Sequence, residues 1–88
     1  GTIETAYSIL NGEYEIIEAE IIETSELINK ELKNSNLPNE IKIGAILRGK
    51  EVIIPRSNFI FKKEDIVVFL AKKDFFQVVE NMFRISSI

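Results

Sequence analysis

The fifteen residues from Ile41 to Pro55, IKIGAILRGKEVIIP, leave this chain few ways to fold. Gly49 and Lys50 divide two runs rich in β-branched residues. A two-residue loop with glycine first is the signature of a hairpin closed by a type II′ turn. Closing it there sets Arg48 opposite Glu51, Leu47 opposite Val52, Ile46 opposite Ile53 and Ala45 opposite Ile54. Side chains alternate between faces along a strand. One face therefore collects Ile41, Ile43, Ala45, Leu47, Val52 and Ile54, and is expected to lie on the core. The other collects Lys42, Gly44, Ile46, Arg48, Glu51, Ile53 and Pro55. Its middle is apolar, and since large exposed apolar patches are rare on monomers, a protein interface is expected there around Gly44, Ile46 and Ile53.

The rest of the chain is short. Its 88 residues suffice for one domain with a modest core. With 45% hydrophobic and 28% charged residues it has the composition of a folded globular domain. A net charge of −3 argues against a nucleic-acid binder, which needs clustered Lys and Arg to displace counterions. No cysteine is present for a disulfide or thiolate site, and no histidine to act as general base or metal ligand.

Upstream of the hairpin, Ile3, Ala6, Tyr7 and Leu10 recur at helical spacing and predict a short amphipathic helix over Thr2–Leu10, ended by Asn11-Gly12. Its apolar stripe needs a docking surface, which makes Ile3 and Tyr7 further interface candidates. Tyr14–Glu23 predicts a strand. Thr24 or Ser25 would cap a short helix from Glu26 to about Lys33, with Leu27, Ile28 and Leu32 on its apolar side. Beyond the hairpin, Phe59–Phe61 is a short extended segment. Ile66–Ala71 is apolar on both faces and predicts a central strand. Phe75, Val78, Val79 and Met82 predict a final helix capped by Asp74. The order β-α-β-β-β-α, preceded by the N-terminal helix, gives an α+β fold: two layers, with an antiparallel sheet.

Few residues invite chemistry. Glu18 and Glu20 share one strand face about 7 Å apart, but a solvated strand face explains them better than a metal or acid–base pair. The serines have no histidine to activate them, and Gly49 belongs to no phosphate-binding loop. No catalytic residue and no metal site is expected, and the chain is read as a non-enzyme.

Four blocks, EYEIIEAEI, SELINKEL, ILRGKEVIIP and FIFKKEDIVVFL, in this order and spacing resemble the C-terminal domain of TrkA-type potassium-uptake regulators, the RCK C-terminal domain. The resemblance runs from about Glu13 to Phe83. Its most specific part is Arg48, Gly49 and Pro55, followed by an acidic turn at Asp65. Glu64 departs from it, standing where the family usually has glycine, and Asn29 replaces a glycine of the short helix. The resemblance implies a cytoplasmic regulatory module, residues 13–84, that forms a homodimer within a larger ring and gates a membrane potassium channel or transporter. It sits at the inner face of the membrane through that partner. Residues 1–12 would be the crossover from a preceding domain that binds NAD or ATP/ADP, and 85–88 a tail. Some relatives bind cyclic di-AMP between two C-terminal domains. If this one does, Ile28, Lys30, Leu32, Ile54 and Pro55 would line the groove. The alternative is a purely structural dimerisation domain without ligand sensing.

Overall fold

The computed structural model describes residues 3–83, with side chains from Tyr7 onward. Five strands form one antiparallel sheet: β1 (Ile3–Ile9), β2 (Tyr14–Glu20), β3 (Ile41–Arg48), β4 (Glu51–Ile53) and β5 (Ile66–Lys72). Their order across the sheet is β1-β2-β5-β3-β4. The all-apolar run expected to be central is β5, flanked by β2 and β3. A 3-10 turn at Lys73–Phe75, which contains Asp74, leads into helix α1 (Phe76–Phe83). The two-layer α+β architecture with an antiparallel sheet is therefore present.

The first element differs from expectation. Ile3–Ile9 is a strand, paired with β2 from Ile3 opposite Ala19 to Ile9 opposite Tyr14. The same residues carry two periods. Ile3, Ala6, Tyr7 and Leu10 suit a helix, but Ile3, Thr5, Tyr7 and Ile9 alternate, and β-branched and aromatic residues favour a pleated surface. The open edge of β2 supplies backbone partners that an isolated nine-residue helix lacks. The chain then reverses through Asn11-Gly12, with φ +56° and +88°, and Glu13 N–H donates to the Leu10 carbonyl, the geometry of a type I′ turn.

The helix expected over Glu26–Lys33 resolves into turns and a 3-10 turn at Leu32–Asn34. Asn29 has φ +64°, incompatible with continuing a helix. From Asn29 onward the segment pairs with residues 57–61 instead. Asn29 N–H donates to the Phe61 carbonyl, Phe61 N–H to that of Lys30, and Leu32 N–H to that of Phe59. Asn29 tolerates the left-handed conformation that the turn demands.

One face of the sheet carries the core. Ile17 and Ala19 of β2, Val67, Phe69 and Ala71 of β5, and Ile41 and Ile46 of β3 are buried with Val79, Met82 and Phe83 of α1. Phe69 and Phe83 stack with ring centroids 5.2 Å apart. Leu27 and Phe61 bring the two irregular segments into the same core. Ser25, also buried, donates to the Met82 carbonyl (2.8 Å) and accepts from Leu27 N–H, tying the first irregular segment to the end of α1.

The hairpin turn and its register are as expected. Arg48 opposes Glu51, Leu47 opposes Val52 and Ile46 opposes Ile53. Gly49 has φ +61°, as a II′ turn requires of its first central residue. The ladder ends at Ile46–Ile53, one pair short of the expected Ala45–Ile54, and on its other edge Ala45 pairs with Val68 of β5.

Its facing is inverted beyond Gly44. The pairing of β3 with β5 shifts by one between Ile43 and Ala45, leaving Gly44 as the extra residue of a bulge. Ile41 and Ile43 stay on the core face. Past the bulge Ile46 is fully buried and Ile53 packs against the core, whereas Val52 and Ile54 are 65% and 72% exposed. A one-residue slip moves every later side chain to the other face. Ile46 is thus a core residue and not an interface residue, and Ala45, Leu47, Val52 and Ile54 do not form a core face.

Candidate functional site

Two features stand out among the described residues: a charged clamp at the hairpin tip and an uncovered sheet face on the side away from α1. The clamp is built by Arg48. Its Nε and Nη2 donate to Oδ1 and Oδ2 of Asp65, each at 2.8 Å, and Nη2 also donates to the Ile60 carbonyl. Asp65 is fully buried and accepts in addition from Lys62 N–H. The guanidinium lies 4.9 Å from the centre of the Phe59 ring. Hydrogen bonding to Asp65 is the main reason its pKa is raised above the ordinary arginine value, opposed by some desolvation and helped by the charges of Asp65 and Glu51. The sequence pairs Arg48 with Glu51, and the backbone register agrees. The guanidinium instead chooses the buried carboxylate, where a bidentate, charge-assisted bond is strongest. The signal was present in the R-G followed by an acidic turn. Arg48 Nε and Nη2 and both Asp65 oxygens are engaged within the domain, so the clamp locks β3 to the loop before β5.

The uncovered face is built by alternation. Residues paired across antiparallel strands share a face. Opposite the core lie Ile16, Glu18 and Glu20 of β2, paired respectively with Leu70, Val68 and Ile66 of β5, and Ala45 and Leu47 of β3. A groove of about 420 Å³ runs along it, lined by Ile9, Ile16, Gly44, Val68 and Leu70 among others. A second, of about 530 Å³, adjoins it at the end bounded by Leu10, Tyr14, Lys42 and Lys72. Four of the large apolar side chains left exposed belong to this face or its rim: Tyr7, Leu10, Val52 and Ile54.

The expected interface residues are divided by this geometry. Tyr7 is 62% exposed, on the open face, and Gly44 is exposed in β3, with β2 and β5 between them. Ile46 and Ile53 point into the core. Ile3 pairs with Ala19, and its side chain lies outside the described residues. Gly44 is set by the bulge rather than by close approach, since a Cβ there would meet the Val68 carbonyl oxygen at an ordinary 3.7 Å.

The ligand candidates are partly brought together. Lys30 and Leu32 lie in the ladder with Phe59 and Phe61. Ile28 and Leu32 pack half-buried on the core, Lys30 and Ile54 are exposed, and Pro55 is half-buried. Neither groove is lined by any of the five. Glu18 and Glu20 do share a face, but among the described residues no three acidic side chains gather as metal ligands would. Nor, among those residues, is any helix long and apolar enough to cross a membrane.

Comparison with known proteins adds one family and several relatives. Residues 16–84 match the family model of the TrkA-C domain. The chain is 37% identical over 86 residues to the Trk system potassium uptake protein TrkA of Azorhizobium caulinodans, covering 98% of this chain and 19% of that protein. It is 38% identical over 64 residues to a TrkA homolog of Archaeoglobus fulgidus, covering 73% of this chain and 15% of that protein. With TrkA of Haemophilus influenzae it shares 32% over 91 residues, covering 99% of this chain and 20% of that protein. The chain thus spans about a fifth or less of the length of these curated relatives.

Proposed function

This chain belongs to the TrkA-C domain family, and from that premise we propose that it is a regulatory and dimerisation domain of a TrkA-type potassium-uptake protein. It acts without catalysis, on the cytoplasmic side of the membrane, by biasing a channel or transporter subunit through a ring of such domains. The observation that carries this reading is the family match across nearly the whole fold, on a domain whose conspicuous surface is an apolar sheet face and not a reactive pocket. A module of this kind transmits a signal only if its ligand or partner binds one arrangement of subunits better than another.

A small ligand such as cyclic di-AMP would sit at the seam between two copies, held by Ile28, Lys30, Leu32, Ile54 and Pro55, with Lys30 offering its charge to a phosphate. The nucleotide, NAD or ATP/ADP, belongs to a separate domain of the full protein. Calorimetry of this chain against nucleotides and cyclic dinucleotides tests the sensing role. A saturable heat that disappears in Lys30→Glu is expected. A blank across the panel removes the sensing role and leaves a second reading, a purely structural dimerisation domain. That second reading is supported by the apolar open face of the sheet, which suits a partner surface without any ligand.

A further inference from the structure

Two lysines face one groove with no carboxylate bound to either. Lys72, at the end of β5, stands opposite Tyr14, and Lys42 of β3 stands opposite Leu70, two residues earlier in β5. Diagonal neighbours of this kind lie about 7–8 Å apart on the sheet, close enough for both long side chains to reach one anion. Among the described residues neither lysine has an ion-pair partner within the chain. Both line the groove of about 530 Å³, where Tyr14 and Asn39 add polar groups and Glu40 is the one acid. Two lysines against one glutamate leave the lining with a net charge of +1, a match for a single negative charge.

The groove does not end there. Ile9, Lys42 and Leu70 also line the apolar groove of about 420 Å³, so the two form one trough, which continues past Ile16 to Gly44 and Val68. From Lys72 to Val68 the trough runs four residues along β5, roughly 14 Å at about 3.4 Å per residue. Glu18 stands beside Val68 at its far end, so an anion is drawn to the lysine end alone. A second observation marks the same place. Leu10, at the rim beside Lys42 and Lys72, has φ +51° and is 67% exposed. A leucine in left-handed backbone is strained, and such residues concentrate at ligand clamps.

We infer that this trough binds a free long-chain carboxylate, its head held by Lys42 and Lys72 and its tail laid over Leu70, Ile16 and Val68. Each part of the trough requires its part of the ligand. Paired ammonium groups give a carboxylate charge-assisted hydrogen bonds. The apolar floor offers a tail burial and nothing to bond with, as small-molecule sites do around a few polar anchors. An extended tail of about ten carbons, with bonds of about 1.5 Å in a zigzag, covers the distance to Val68. The bulge leaves Gly44 without a side chain beside that end, where a Cβ would have room. The site lies apart from Ile28, Lys30, Leu32, Ile54 and Pro55, and does not rest on the dimeric reading.

Calorimetry with dodecanoate, kept below its micelle-forming concentration, tests the inference on the 88-residue chain. Saturable binding with a Kd on the order of 100 μM is expected. Octanoate, four methylenes shorter, should bind at least about tenfold more weakly. K42Q/K72Q should weaken dodecanoate at least about tenfold, with a far-ultraviolet circular dichroism spectrum unchanged from the unaltered chain. Gly44→Leu, which fills the trough without touching either lysine, should weaken dodecanoate more than octanoate. Dodecyltrimethylammonium, with the same tail and the opposite charge, should not saturate. Equal affinity for the two amphiphiles, or equal affinity in K42Q/K72Q, would show a merely greasy surface and overturn the site. Flotation with phosphatidylglycerol vesicles separates a free ligand from a bilayer, and the chain is expected not to float. Flotation that depends on the two lysines, without dodecanoate binding, would assign them to a membrane and overturn the proposal. A blank with dodecanoate overturns it as well, and leaves dimerisation, which sedimentation reads, untouched.

Discussion

Arg48 contributes to this molecule by filling a carboxylate's needs at a distance of 17 residues along the chain. Asp65 is fully buried and would carry an uncompensated charge without it. Arg48→Ala is expected to destabilise the domain by about 2–3 kcal/mol, near the bottom of the range for breaking a buried pair because the arginine side chain is a third exposed. Arg48→Lys recovers less than half of this, since an ammonium cannot make the planar two-point contact; urea unfolding of the three chains measures both. The pH dependence has a definite sign. The arginine pKa is raised in the fold, so its stabilisation is complete below the unfolded value and is lost only as pH rises through the still higher folded value, far above neutrality. Titration of Arg48 therefore leaves stability untouched across the neutral range, and substitution is the test that reaches it. Glu64 makes the opposite case. It holds φ +74° in the turn before β5 while its N–H donates to the Ile21 carbonyl. Glycine adopts that conformation without a Cβ clash, so Glu64→Gly should stabilise by about 0.5–1 kcal/mol, the strain relieved exceeding the added freedom of the unfolded chain. A thermal midpoint that falls would show that the turn is not strained.

At the scale of elements, the bulge in β3 decides which hairpin face is core. The alternation IKIGAIL is unambiguous about which residues share a face only while the strand keeps its register. Nothing in a glycine at position 44 announces an extra residue, because the bulge exists only in relation to β5. Deleting Gly44 removes the extra residue and leaves a regular ladder, with Ala45 still opposite Val68 and Ile46 still opposite Val67 in the core, so it should cost less than about 2 kcal/mol. Gly44→Ala, whose Cβ has room, should change stability by less than about 1 kcal/mol. A loss of about 3–5 kcal/mol on deletion, by chemical unfolding, the cost of turning Ile46 out of the core, would refute the bulge as the determinant. The N-terminal strand teaches the same lesson from another side. Residues 3–9 carry both a helical and an alternating period, and the free edge of β2 selects a strand, with a register shift between Thr5 and Tyr7 that breaks the alternation. The segment from Glu26 to Lys33 is apolar at helical spacing, yet Asn29 and the ladder to residues 57–61 keep it irregular.

For the whole molecule, a sheet with one covered face is stable only to the extent that its open face is tolerated by water or taken by a partner. If two copies share that face, folding and association are linked, and the unfolding midpoint must rise with protein concentration. Differential scanning calorimetry over a hundredfold range of concentration is expected to show this rise. A midpoint independent of concentration would mean that the face stays bare in the 88-residue chain.

The amino-acid order alone settled what depends on near neighbours. The Gly49-Lys50 turn, the register of its hairpin, the central β5 and the final helix all follow from turn chemistry and short apolar periods. The R-G…P…D spacing marks the family. Tertiary structure decided what depends on contacts distant in sequence. It set the strand identity of residues 3–9, the bulge that put Ile46 inside and Ile54 outside, and the choice of Asp65 over Glu51 as partner for Arg48. In each case two local solutions lie within a few kcal/mol of each other, and burial against an element elsewhere in the chain separates them.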